Sequence, residues 1–256
     1  METNGTAGRK LARTSHSRQT RQTVLEVAAM LVPIMATLLC PAPALAQTDG
    51  NVLTVPHELF LTGYTYGKLF RYYSRSLANF DTLTSAQKNA DRDIMIDLSV
   101  DLEAHAQSLR CKPQVLQGIS ALESELSARG KPKEGTLARL DGVHECVDDY
   151  NSDLIGYWWT GRSVGSLSWL FENLEHPQID VDPSSADQVL LGELQHLSQN
   201  SVLLYDTAGF PPPAKELLKS LEGIRRANAN KRELDTGTRN LVKRYVNDIR
   251  RHFLIR

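Results

Sequence analysis

Apolar residues recur along the chain at intervals of three and four, the spacing that lines one face of an α-helix. Phe60, Gly63, Gly67, Phe70 and Leu77 share such a face behind Pro56, whose fixed φ suits a first helical turn. Ile94, Leu98, Leu102, His105 and Leu109 form the stripe of a second helix, with Ser85 as its expected N-cap. Pro113 opens a third helix carrying Val115, Ile119, Leu122 and Leu126, which Gly130-Lys131-Pro132 stops. The longest pattern begins at Thr136 and runs to about Leu174, with Gly156 as its expected breaking point and His176-Pro177 as its end. Asp182-Pro183-Ser184 starts a helix through Val189, Leu190, Leu194, Leu197 and Leu204, ended by Gly209. Pro211-Pro212-Pro213 leads into Leu217, Leu218, Leu221 and Ile224, and a last helix over 238–256 carries Val242, Val246, Ile249 and Phe253.

Period-two alternation is nearly absent, and the two Asp-Gly pairs fall outside hairpin positions: Asp141-Gly142 inside a helical pattern, Asp49-Gly50 in a polar junction. The pattern therefore predicts an all-α fold, a single bundle of six to seven helices over residues 56–256. A division near residues 180–185 is the second choice.

The first 46 residues read differently. Within residues 1–22, Arg9, Lys10, Arg13, Arg18 and Arg21 face one acid, Glu2; an uncharged stretch follows over 27–40, and small Ala44 and Ala46 precede Gln47. This is the build of a secretory signal peptide over 1–46, cut between Ala46 and Gln47, with a short flexible leader over 47–55. Pro33, Pro41 and Pro43 argue against an uncleaved membrane helix, and Leu38-Leu39 before Cys40 against a lipid anchor. The mature chain is expected in the periplasm or secreted. Cys40 would leave with the leader, and the remaining pair, Cys111 and Cys146, predicts one disulfide.

Two windows hold 13 of the 17 aromatic residues, seven in 57–80 and six in 150–171, and each contains glycines four apart between aromatics. The sets are Phe60, Gly63, Gly67, Phe70 and Trp158, Gly161, Gly165, Trp169. A glycine inside a helix costs about 1 kcal/mol against alanine, so four of them need a reason. They would admit either a second backbone, in a tight helix crossing, or a flat ligand in a groove. In a groove, Tyr64, Tyr66, Tyr157 and Arg162 would supply polar contacts, and Trp158, Trp159 and Trp169 would report a small apolar ligand by fluorescence. Gly63-Tyr64-Thr65-Tyr66-Gly67 also resembles the Gly-Tyr-x-x-Gly signature of small exported immunity proteins that neutralise type VI secretion amidases. That resemblance implies an inhibitor-like role, although Phe60 and Leu61 stand where the family tends to carry a cysteine.

Asp141-x-x-His144 and Glu193-x-x-His196 each set a carboxylate and an imidazole one helical turn apart, the half-site used by bundle metal centres. A transition metal on these four residues is the alternative to a cofactor-free chain. Chance alone gives nearly one such pair in a composition like this one. Phosphate-loop, zinc-protease, serine-elbow and haem-attachment motifs are missing.

Of 256 residues, 29 are Lys or Arg and 30 Asp or Glu, a net charge of -1 that speaks against a nucleic-acid binder. The charges are unevenly placed: residues 215–256 hold 12 bases and 5 acids, residues 47–214 hold 12 bases and 23 acids. Arg225, Arg226, Lys243, Arg244, Arg250 and Arg251 can face an acidic protein, a cell-envelope polymer or an anionic membrane surface. The alternative is that the last helix docks its apolar stripe on an acidic body. The composite expectation is an exported helical binding or accessory protein without catalytic machinery, its partner unnamed.

Overall fold

Prolines in the first turn start four of the helices, at positions whose backbone N–H would lack a partner anyway. The computed structural model describes residues 54–148, 150–174, 183–207 and 209–253. The expected signal peptide, its cleavage point and residues 47–53 lie outside the described residues. Eight α-helices follow in order: α1 Val55–Asn79, α2 Ser85–Ser108, α3 Pro113–Ser127, α4 Glu134–Asp141, α5 Ser152–Leu174, α6 Pro183–Ser201, α7 Pro212–Ala227 and α8 Thr236–Phe253. Two 3-10 turns, Gly142–Cys146 and Val202–Leu204, complete the regular structure, and no strand occurs among the described residues. Residues Leu53–Arg256 form one unit. The all-α bundle is the architecture the apolar pattern predicts, with eight helices in place of six or seven.

The extra helix comes from the long pattern after Thr136. It breaks at the 3-10 turn Gly142–Cys146 and restarts at Ser152, so Gly156 is not the breaking point. Two causes fix the break, one distant in sequence and one local. Cys146 lies within disulfide distance of Cys111, their Cα atoms 4.9 Å apart, which holds this turn against the end of α2. Asn151 then caps α5, its Oδ1 accepting from the Leu154 N–H at 3.0 Å. Gly156 instead lies inside α5, against the side chains of Leu203 and Leu204.

Helix α2 also departs from expectation at two points. Its N-cap is Thr84, not Ser85: Thr84 Oγ1 accepts from the Gln87 N–H and Gln87 Oε1 accepts from the Thr84 N–H, a reciprocal capping box. Its buried stripe is Asp91, Met95, Ser99, Leu102 and Ala106, rotated by about one residue from the expected one. Small Ser99 and Ala106 let the helix approach its neighbours, while Ile94 turns outward.

Helix α1 runs through the middle. Leu59 to Gly67 are all buried, so the helix has almost no solvent face over two turns. It binds its neighbours with polar pairs as well as apolar contact: Glu58 to His105 of α2, Tyr66 to Asp141 of α4, Lys68 to Glu172 of α5, and Arg71 to Glu193 of α6. Helix α8 closes one side with Val242, Val246, Ile249 and Phe253, and the Phe253 ring stacks on Phe60 at 4.0 Å between centroids. No helix of the described residues is long and apolar enough to cross a membrane.

Candidate functional site

The two glycine-aromatic windows meet each other. A Cβ placed on Gly63 would lie 2.9 Å from the Trp158 carbonyl carbon, and one on Gly67 equally close to that of Arg162. Reciprocally, Gly161 faces the Phe60 carbonyl and Gly165 the Tyr64 carbonyl, each again 2.9 Å from the added atom. Partners ascend together along both helices, so α1 and α5 run parallel; Lys68 to Glu172 and Arg75 to Asn173 continue the register. Each carbonyl oxygen lies where a glycine Hα points, the arrangement of Cα–H···O contacts that contribute about 0.5–1 kcal/mol each.

This geometry corrects the groove reading of those residues. The space a flat ligand would need is filled by the opposite backbone, and Phe60, Tyr64, Trp158 and Trp169 are buried in the core beside it. Phe70 is half-buried and meets Tyr66, while the Arg162 guanidinium lies over Trp159 at 5.5 Å. Tyr157 packs edge-on to Phe210 and Phe253. Burial, reinforced by the bond to Asp141, pushes the Tyr66 phenol well above its ordinary pKa, so it stays a donor to that carboxylate.

The acid–histidine pairs do not assemble into one centre. Asp141 accepts from Tyr66 at 2.7 Å, and the His144 ring turns back to the Asp141 carbonyl. Glu193 is buried against Arg71, whereas His196, one turn later on the same helix, is exposed. Among the described residues no group of three or more His, Cys, Asp or Glu is placed to hold a metal ion. A hydrogen bond from Tyr66 and an ion pair with Arg71 thus occupy the carboxylates that the spacing offered to a metal.

The basic residues divide by role. Arg250 leans inward, its guanidinium 5.8 Å from the Tyr64 ring and 3.9 Å from Glu172. Arg225 and Arg226 share Glu222, whose carboxyl their hydrogen bonds hold down at about 2. Arg226 nevertheless remains 73% exposed, and Arg251, paired with Asp248, 81% exposed. Arg244 is exposed over Tyr245, and Lys243 is half-buried. Between α7 and α8 lies an open groove of about 410 Å³, with Pro213, Leu217, Ser220, Tyr245, Arg251 and His252 among its lining residues.

Sequence reasoning missed the outer face of α2. Ile94 and Val100 are exposed there, at 36% and 49%, among the exposed carboxylates Asp93, Asp97 and Asp101. The available signal was the i, i+4, i+8 spacing of the three aspartates, overshadowed by placing Ile94 in the core. No protein-family model matches the chain, and no curated protein or solved structure is detectably similar to it.

Proposed function

We propose that the chain is an exported helical binding protein that acts by contact, engaging an acidic partner protein through the outer face of α7 and α8. One observation carries this reading. The apolar stripe of α8 is fully committed to the core, and Arg226, Arg244 and Arg251 remain exposed, Arg251 in the wall of an open groove. Docking of α8 therefore leaves these cations in solvent, with Arg226 paired to Glu222 and Arg251 to Asp248 on the same surface. A surface of this kind steers an anionic partner and fixes its orientation, while the half-buried Leu217 and Tyr245 offer apolar anchorage. The polar pairs around α1 support a rigid scaffold behind the face. Export rests on the leader alone, and sequencing the amino terminus of the natural product tests it, with Gln47 as the expected first residue.

The binding test uses the oxidised chain beginning at Gln47 as bait for native envelope extract. The triple variant Arg226→Glu, Arg244→Glu, Arg251→Glu should lose the species captured by the unaltered chain while keeping its circular dichroism. Capture of the same species by both would refute the assignment of the face, and capture of nothing by the unaltered chain would refute the binding role.

A further inference from the structure

Helices α1, α2 and α3 meet at a corner that holds a narrow cavity between the α1–α2 turn and the turn after α3. Phe80 and Leu83 line it from the first turn, and buried Met95 and Leu126 continue the apolar wall. Ser76, 4% exposed, adds one hydroxyl. The volume is about 20 Å³, room for one or two oxygen-sized atoms.

Two cations share this space. Lys88 and Arg92 stand one turn apart on α2, both half-buried and both in the lining. Like charges at this spacing repel each other. Neither meets a carboxylate among the described residues: Lys88 Nζ lies 4.4 Å over the Phe80 ring, and Arg92 donates to the neutral Asn89 amide oxygen at 3.0 Å. Lys131 approaches the same ring at 5.9 Å but is paired with Asp81.

The acids of this corner are matched elsewhere. Glu125, the carboxylate in the lining, accepts from the Tyr73 and Thr136 hydroxyls and the Lys133 N–H, and Arg139 lies 3.8 Å from it. Asp91, which accepts from Ser76 at 3.4 Å, is 3.5 Å from Arg75. Lys88 and Arg92 are therefore left with an unanswered positive field beside an apolar wall, where charge is weakly screened.

We propose that this cavity binds one carboxylate group, held between the Lys88 ammonium and the Arg92 guanidinium. Charge selects an anion, and size selects its kind: the two oxygens of a carboxylate fit the volume, whereas the four of phosphate or sulfate do not. The planar fork of Arg92 suits a carboxylate edge. Ser76, whose bond to Asp91 is long, supplies a further donor. A small organic acid and the acidic side chain of a polypeptide offer the same chemistry here. The site lies on other helices than the α7–α8 face and does not depend on how that face is read.

Nuclear magnetic resonance of the isotope-labelled oxidised chain provides the test, with sodium acetate replacing sodium chloride at constant ionic strength. The amide signals of Ser76, Lys88 and Arg92 should move along a saturating curve, its midpoint in the millimolar range expected of so small a ligand. Sulfate at the same ionic strength should leave them in place. Lys88→Gln with Arg92→Gln should weaken acetate at least tenfold, and Lys88→Arg, which keeps the charge, should retain binding. If the double variant loses its dispersed spectrum, Arg92→Gln alone is the milder change and should still weaken acetate several-fold. A capped glutamate, set against capped glutamine, forms the second arm. Tighter binding than acetate assigns the carboxylate to a polypeptide, and weaker binding assigns it to a free acid. Shifts that grow linearly without saturation, an equal response to sulfate, or acetate binding that survives the loss of both cations overturns the proposal.

Discussion

Replacing Gly161 with alanine tests the α1–α5 crossing directly. The new Cβ would meet the Phe60 carbonyl carbon at 2.9 Å and the Tyr64 nitrogen at 3.0 Å. Both are backbone atoms of a helix buried on nearly all sides, so no flexible side chain can yield. Ordinary carbon contacts need about 3.5–4.0 Å, and the two axes must separate by a large fraction of an ångström. Such overpacking costs about 1–3 kcal/mol. Weakening the other three carbonyl contacts adds a further cost of about 1 kcal/mol or more. Alanine returns about 1 kcal/mol of helix propensity. The net expectation is a loss of about 1–3 kcal/mol, or about 2–12 °C in Tm for a chain of this size. Gly223 supplies the control: it lies in α7 with nothing within 4 Å of an added Cβ, so Gly223→Ala should gain about 0.5–1 kcal/mol. Urea denaturation followed by far-ultraviolet circular dichroism reads both. If Gly161→Ala is as stable as the parent, the close approach of the two backbones does not hold the fold.

Three other outcomes follow from the same structure. Arg71→Met should cost about 3–5 kcal/mol in urea denaturation by stranding Glu193, which is 3% exposed, and adding Glu193→Leu should recover most of the loss. Glu222 has its pKa depressed from 4.5 to about 2, chiefly by Arg225, so its share of stability is complete above about pH 4.5 and lost as pH falls towards 2; Glu222→Gln should flatten acid denaturation in that window. Reducing Cys111–Cys146, which spans 35 positions, should lower stability by up to about 4 kcal/mol in the chain-entropy model; two titratable thiols in the unreduced protein would contradict the pairing.

How far these features could be read beforehand varied with their range along the chain. Helix starts at Pro113 and the apolar stripe of α8 were legible because local backbone chemistry and a clean 3.6 period agree there. The choice between Thr84 and Ser85 as cap was not, since both are hydroxyl residues and only the reciprocal bond with Gln87 separates them. The break before α5 depends on Cys111, far away in sequence. The role of the glycines was ambiguous for a similar reason. Their spacing announces that something comes close, while the identity of the visitor depends on which other helix carries matching gaps. The metal-like acid–histidine pairs misled because intrahelical spacing carries no information about Tyr66 and Arg71, the partners that claim Asp141 and Glu193.

The parallel alignment of α1 with α5 has a kinetic consequence. Residues that touch across this seam, such as Gly67 and Ser166, are 99 positions apart, a long reach for a helical protein. Contacts of such separation form slowly, because the intervening chain must be gathered before they reward it. During early folding α1 would wait with its aromatic and glycine surface uncovered, a target for chaperones or for aggregation. The bridge between Cys111 and Cys146 lies inside the intervening segment and shortens the effective path to α5. An oxidant acting early should therefore speed maturation as well as strengthen the finished molecule.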